Sequence, residues 1–249
     1  MKAFVDRRYL SRLLLVLFAT AAVPAFAYRP FDGMDAAVAE EGVFELEAGV
    51  GQVRVDHVDS ISVPALVFNY GLPYDTEIVL EGKYNRELGM SSGNPNSLGD
   101  NALSIKHVFR RGTLQDGEGP SVAVECAVLL PELNGASGTG GECAGIVSNK
   151  WEALALHLNA GLGQTREHTN LRTLSLIAEG PDTWKVRPVA EGLVEREGGG
   201  AWLNSILAGV IYQQSETLAV DVAFRHAASS EGPINEFRLG LTWSIPIAK

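Results

Sequence analysis

The chain has 249 residues, with 30 Asp and Glu against 20 Lys and Arg and a formal net charge of −10. Such acidity disfavours nucleic acids and other polyanions as partners. Average hydropathy is near neutral and glycine is plentiful, 27 residues, a mixture that suits strands with two unlike faces better than helices passing through lipid.

The N-terminus carries Lys2, Arg7, Arg8 and Arg12, then an apolar core over residues 13–22, then Ala25-Phe26-Ala27, the small-x-small pattern that signal peptidase cuts after. The core is shorter than the roughly 20 residues a spanning helix needs. A cleaved signal, residues 1–27, is therefore expected, with the mature chain starting at Tyr28. No later stretch is long enough for a transmembrane helix, so any membrane insertion must use strands. Residues 28–42 read as an irregular, acidic leader containing Pro30 and Gly33.

From residue 43 onward, strand-like runs alternate with turn signals. The expected strands are 43–55, 61–70, 74–86, 102–110, 121–130, 142–148, 152–163, 171–179, 184–195, 201–212, 217–227 and 234–246. Twelve strands of this kind predict an all-β fold, a single antiparallel transmembrane β-barrel over residues 43–249. The even-to-odd connections read as short, with 111–120 the exception. The odd-to-even ones read as longer and richer in Gly, Ser and Asn, which assigns them to the cell exterior.

Period two assigns a polar face to the lumen. It carries Glu45, Glu47, Glu77, Glu81, Lys83, Lys106, Arg110, Glu125, Lys185, Arg187, Glu191, Asp221, Arg225 and Arg238. Acids and bases are equal in number, which points to ion pairing across neighbouring strands more than to a single-sign field. Closure of the last strand on the first predicts Arg238 beside Glu45 and Glu47. The opposite face carries Phe44, Leu46, Ile78, Leu80, Ile105, Phe109, Leu158 and Phe224, a lipid belt. Runs 61–70 and 201–212 are apolar on both faces.

Cys126 and Cys143 flank the glycine-rich stretch 131–141 and are expected to form a disulfide in an exported chain. The histidines His57, His107, His157, His168 and His226 lack metal-ligand spacing, so no metal and no cofactor is assigned. Ser148 and Ser175 fall on strands adjacent to His157, but no G-x-S-x-G elbow is present. The chain is read as not an enzyme, with no catalytic residue. A Ser/His contact in the barrel wall would favour the alternative of a membrane-embedded lipid-modifying enzyme.

In the last run Phe237, Leu239, Leu241, Trp243 and Ile245 alternate with Arg238, Gly240, Thr242 and Ser244. This polar-x-Gly-x-x-aromatic-x-apolar spacing resembles the closing strand of bacterial outer-membrane barrels. That resemblance implies outer-membrane lipid and the barrel-assembly machinery as partners. More broadly, Arg29-Pro30 through Asp35-Ala36, Gly42 with Glu45-Leu46-Glu47, Asn69-Tyr70-Gly71-Leu72, His157 to Gly161 and the Arg238–Trp243 ending resemble the outer-membrane family labelled as phenol-degradation (MetA-pathway) transporters. The resemblance implies a bacterial outer-membrane channel for passive uptake of small aromatic or hydrophobic solutes. A structural or adhesive barrel, working through outer loops 87–101 and 131–141, is the second reading. A soluble periplasmic sandwich is the competing fold. With a lumen of twelve strands, between the filled eight and the open sixteen, the leader is of a size to enter as a plug.

Overall fold

The computed structural model of the protein describes residues 29–55, 58–89, 93–229 and 232–247. The expected signal, Tyr28 and His57 lie outside the described residues. Twelve antiparallel strands close into one barrel: β1 Val43–Val55, β2 Val58–Leu72, β3 Thr76–Leu88, β4 Asn96–Arg110, β5 Ser121–Leu129, β6 Gly140–Lys150, β7 Ala155–Gln164, β8 Asn170–Glu179, β9 Val186–Glu197, β10 Leu203–Gln213, β11 Leu218–Ser229 and β12 Gly232–Pro246. Each strand pairs with its sequence neighbours, and β1 pairs with β12 from Val43↔Pro246 to Val55↔Ile234, so no sheet edge remains. The all-β, twelve-stranded barrel is thus observed, and closure rules out a two-sheet sandwich.

The strands are legible because alternation persists through them: β1 is buried at Val43, Glu45, Glu47 and Gly49 and more open at the residues between. The largest boundary difference is β4, which starts six residues before the expected position. Its first residues are polar and read as loop, and the ladder with β3 shifts register between Glu81↔Ala102 and Lys83↔Gly99, with Asp100 at φ 52. A bulge of this kind carries the strand past residues that break the period.

Outward positions form a broad apolar belt. Ile78, Leu80, Ile105, Leu158, Leu174, Leu176 and Phe224 are each at least two-fifths exposed, which in water would be a severe liability and in lipid is the required surface. Outward charges such as Arg54, Arg86 and Arg172 sit toward the end away from the start of β1 and the close of β12. Leu158→Arg, in the belt on β7, is expected to lower stability by about 2–4 kcal/mol. Urea titration of the protein refolded into vesicles measures this, and an unchanged midpoint would mean that the belt is not in lipid.

The two ends of the barrel differ less in connection length than the sequence suggests. The β1–β2 and β11–β12 hairpins consume most of their outer connections as ladder, which runs to Val55↔Val58 and to Ser229↔Gly232. At the opposite end, connection 111–120 stays long for a local reason. It forms a 3-10 turn, Thr113–Gln115, that folds under the lumen and contributes to its floor.

Cys126 and Cys143 are bonded, as expected, across a directly opposed pair of the β5–β6 ladder with Cα atoms 4.1 Å apart. Glu125 and Ala127 face the lumen, so the bridge lies on the outer face. The Cys126→Ser/Cys143→Ser variant is expected to lose about 3 kcal/mol of stability through loop entropy regained by the unfolded chain. A urea midpoint identical to that of the oxidised protein would contradict this.

Candidate functional site: a lumen threaded by its own leader

At the end of the barrel where β1 begins and β12 ends, the lumen is filled by residues 29–42. An extended segment withdrawn from water must satisfy its amides, and here inward side chains of the wall take the place of a neighbouring strand. Glu191 on β9 accepts from Asp32 N at 2.8 Å and from Gly33 N at 2.7 Å. Asn159 on β7 grips Met34 at both ends, accepting from its N–H at 3.0 Å and donating to its carbonyl at 2.8 Å. Ser148 on β6 accepts from Ala36 N at 2.9 Å, and Glu77 on β3 accepts from Ala39 N at 2.7 Å. From below, Gln115 in the 3-10 turn donates to the Ala36 carbonyl at 2.8 Å.

Apolar contacts set the register of this threading. Phe31 packs against Val189, Ile211 and Ala219, while Met34 and Val38 pack on the cluster of Ala36, Val108, Ala123 and Ile146, with Leu114. The second doubly apolar run is thereby explained in part, because the inward side of β10 offers Leu207 and Ile211, both essentially buried, and Phe31 of the leader packs on Ile211.

Charge completes the lock. Asp32 is clasped by Arg225 at 2.9 Å and Arg238 at 2.7 Å, and both guanidiniums also reach Glu236, at 3.5 and 2.8 Å. Arg238 donates in addition to the Pro30 carbonyl at 2.7 Å. Asp35 lies 3.4 Å from Lys106 Nζ, which is 3.7 Å from Glu77. Arg29 reaches Asp221 at 3.5 Å by lying across Gly49 and Gly240, which face each other in the β1–β12 ladder. A Cβ at Gly240 would stand 2.2 Å from Arg29 Nε, so the slot exists only because both positions lack a side chain.

The polar-face candidates fall into distinct places. Glu77, Lys106, Glu191, Asp221, Arg225 and Arg238 all touch the leader or its partners, as above. Glu45 accepts from Ser244 Oγ, and Glu47 accepts from Asn69 Nδ2 at 3.2 Å. Arg238 is not beside these two: the register sets it opposite Gly51, with Glu47 opposite Thr242 and Glu45 opposite Ser244. Glu81, Lys83 and Glu125 line the open part of the lumen, with Lys83 paired to Asp100 and Glu125 accepting from Ser104 Oγ at 2.7 Å. Arg187 is inward and 3.8 Å from Glu179. Two candidates lie elsewhere. Arg110 follows a bulge between Val108 and Arg110, stands opposite outward Val122, and is exposed. Lys185 precedes β9 and holds its ammonium 5.3 Å over the outward Tyr212 ring.

A Ser/His contact is present. Ser148 Oγ is 2.8 Å from His157 Nδ1, and His157 Nε2 is 3.2 Å from Glu179 Oε1. The group faces the lumen, not lipid, and Ser148 is fully buried with its oxygen already accepting the Ala36 amide. Its evident work is to hold the leader. Asn159, Ser148 and Gln115 are the functional side chains that a search for charge overlooks; inward parity of the His157-Leu158-Asn159 run was the available signal.

Beyond the leader the lumen opens into two adjoining cavities of about 310 and 710 Å³, which share Glu81, Glu125, Glu142 and the leader residues Phe31–Met34. No metal-binding cluster of His, Cys, Asp or Glu occurs among the described residues.

No family model and no curated protein sequence matches the chain. Solved structures do. An outer membrane channel from Pseudomonas putida F1 superposes with a TM-score of 0.65 at 12% identity, covering 86% of this chain and 98% of that one. The NanC porin gives 0.58 at 9% identity, covering 80% and 98%. The KdgM porin, in complex with disordered oligogalacturonate, gives 0.56 at 11% identity, covering 81% and 99%. At these identities the likeness concerns the fold alone: the closed barrel of this chain superposes on those of the three channels and porins.

Proposed function

We propose that the protein is a passive channel of the bacterial outer membrane for small solutes, exported by a cleaved signal and gated by residues 29–42 acting as a plug. The carrying observation is that the leader's backbone is bonded to inward side chains of β3, β6, β7 and β9, while the lumen above it stays open. β1 begins and β12 ends at the plugged end, which is the periplasmic side in barrels of this kind. The closing strand β12 carries the pattern expected to engage the barrel-assembly machinery. The uptake of aromatic or hydrophobic solutes, implied by the family resemblance, agrees with Leu129, Leu171 and Leu193 on the cavity wall.

The competing readings have less support. Connections 87–101 and 131–141, which an adhesive barrel would present, are tied to each other by the Leu98–Leu133 bridge and to Arg166, which donates to the Leu130 and Asn101 carbonyls at 2.7 and 2.8 Å. The Ser148–His157 contact faces the lumen, with Ser148 Oγ already taken up by the leader's Ala36 amide. Planar-bilayer recording and liposome swelling with the refolded chain, with and without residues 29–42, test the channel reading. Stepwise conductance that grows on deletion supports it, and a folded barrel that stays silent in both forms overturns it.

A further inference from the structure

The open part of the lumen is far from neutral. Every basic side chain lining the two cavities is already committed: Arg29 to Asp221, Lys83 to Asp100, Arg166 to Glu132, and Arg225 and Arg238 to Asp32 and Glu236. Glu81, Glu142 and Glu195 remain with no basic group within salt-bridge distance among the described residues. Glu125 adjoins them, across the β4–β5 ladder from Lys106, whose ammonium is directed to Asp35 and Glu77. On the same lumen face Glu125 and Glu142 are diagonal neighbours of β5 and β6, since Glu125 opposes Ala144 and Glu142 opposes Ala127.

A second observation points the same way. Glu47, on the wall of the smaller cavity, is 1% exposed, and its Oε2 has no hydrogen-bond partner while Oε1 accepts from Asn69. Buried polar oxygens are as a rule hydrogen-bonded, so this one, on a cavity wall, favours a ligand that carries an N–H donor. Fixed carboxylates in a low-dielectric cleft concentrate cations and repel anions. Leucines 129, 171 and 193 line the same cavity as the acids, so it offers an apolar wall as well as negative charge.

We propose that this vestibule selects small organic cations, a primary or substituted ammonium on a compact apolar body, over anions of the same size. The inference deepens the channel reading by naming its solute class, but the vestibule binds such a cation whether or not it passes the leader.

Equilibrium binding to the full chain in detergent therefore separates the two. Benzylammonium and benzoate are titrated calorimetrically at pH 7 in 0.05 M and 1 M salt. Benzylammonium is expected to bind and benzoate not to. The Glu81→Gln/Glu142→Gln/Glu195→Gln variant should weaken benzylammonium roughly fivefold or more, and high salt should act in the same direction. The single Glu142→Gln variant, with one substitution, gives a smaller weakening and guards against misfolding of the triple variant. Benzoate binding as tightly as benzylammonium, or benzylammonium binding that ignores both variants, would overturn the proposal. Silence in bilayers with intact benzylammonium binding would overturn the channel reading alone.

Discussion

Deleting residues 29–42 is expected to raise single-channel conductance severalfold, because the segment fills the lumen at one end of the barrel. The barrel itself should survive the deletion. Its twelve ladders are closed without the leader, and the side chains left behind, Glu77, Ser148, Asn159 and Glu191, are polar groups that water can serve once the segment is gone. A milder change separates gating from simple obstruction. Asp32→Asn removes the carboxylate that Arg225 and Arg238 clasp but keeps the segment's length and its Phe31 anchor. Brief openings of the size seen in the deletion, appearing in Asp32→Asn and rare in the parent, would show a plug that moves. A parent conductance equal to that of the deletion would remove the plug from the mechanism.

The strands could be read from the sequence while the lock could not, for a physical reason. Alternation of apolar and polar residues is enforced all along a wall that separates lipid from lumen, so β1 was recovered residue for residue and most other ends within a few positions. Parity gives the side of the wall but not the partner. It put Arg238 inside correctly, yet the β1–β12 register, which no single strand encodes, decided that its partners would be Pro30, Asp32 and Glu236 instead of Glu45 and Glu47. Parity also fails wherever the backbone inserts a residue. The bulge after Val108 turns Arg110 outward, and Phe109 beside it is 67% exposed. Period two on the expected strand 184–195 places Lys185 inside with Arg187, but it stands before the first ladder residue of β9, where the outward Tyr212 ring is available to its ammonium. The leader had no period at all. Its path follows from long-range hydrogen bonds to Asn159 and Ser148, residues more than a hundred positions away, and short-range patterns do not carry that information.

Lys106→Met is expected to produce the largest single-residue loss of stability in the protein, about 3–5 kcal/mol, and to loosen the plug at the same time. Lys106 is fully buried, with its ammonium 3.4 Å from Asp35 and 3.7 Å from Glu77. Taking such a charge out of water is costly, and the pair of carboxylates repays it; removing the cation takes it from the buried Glu77 on the wall and from the part-buried Asp35 on the leader together. Replacing both sides should therefore do less harm than replacing one. Glu77→Gln keeps a side-chain oxygen for the Ala39 amide, so Lys106→Met/Glu77→Gln should recover a large part of the loss. Urea midpoints of the two variants in vesicles, followed by tryptophan fluorescence, read the stability. Conductance reads the plug, because Asp35 belongs to the leader and Lys106 to the wall, and breaking their contact should lengthen the openings. Equal destabilisation by the single and double variants would show that packing of the lysine stem, and not its charge, is what the leader rests on.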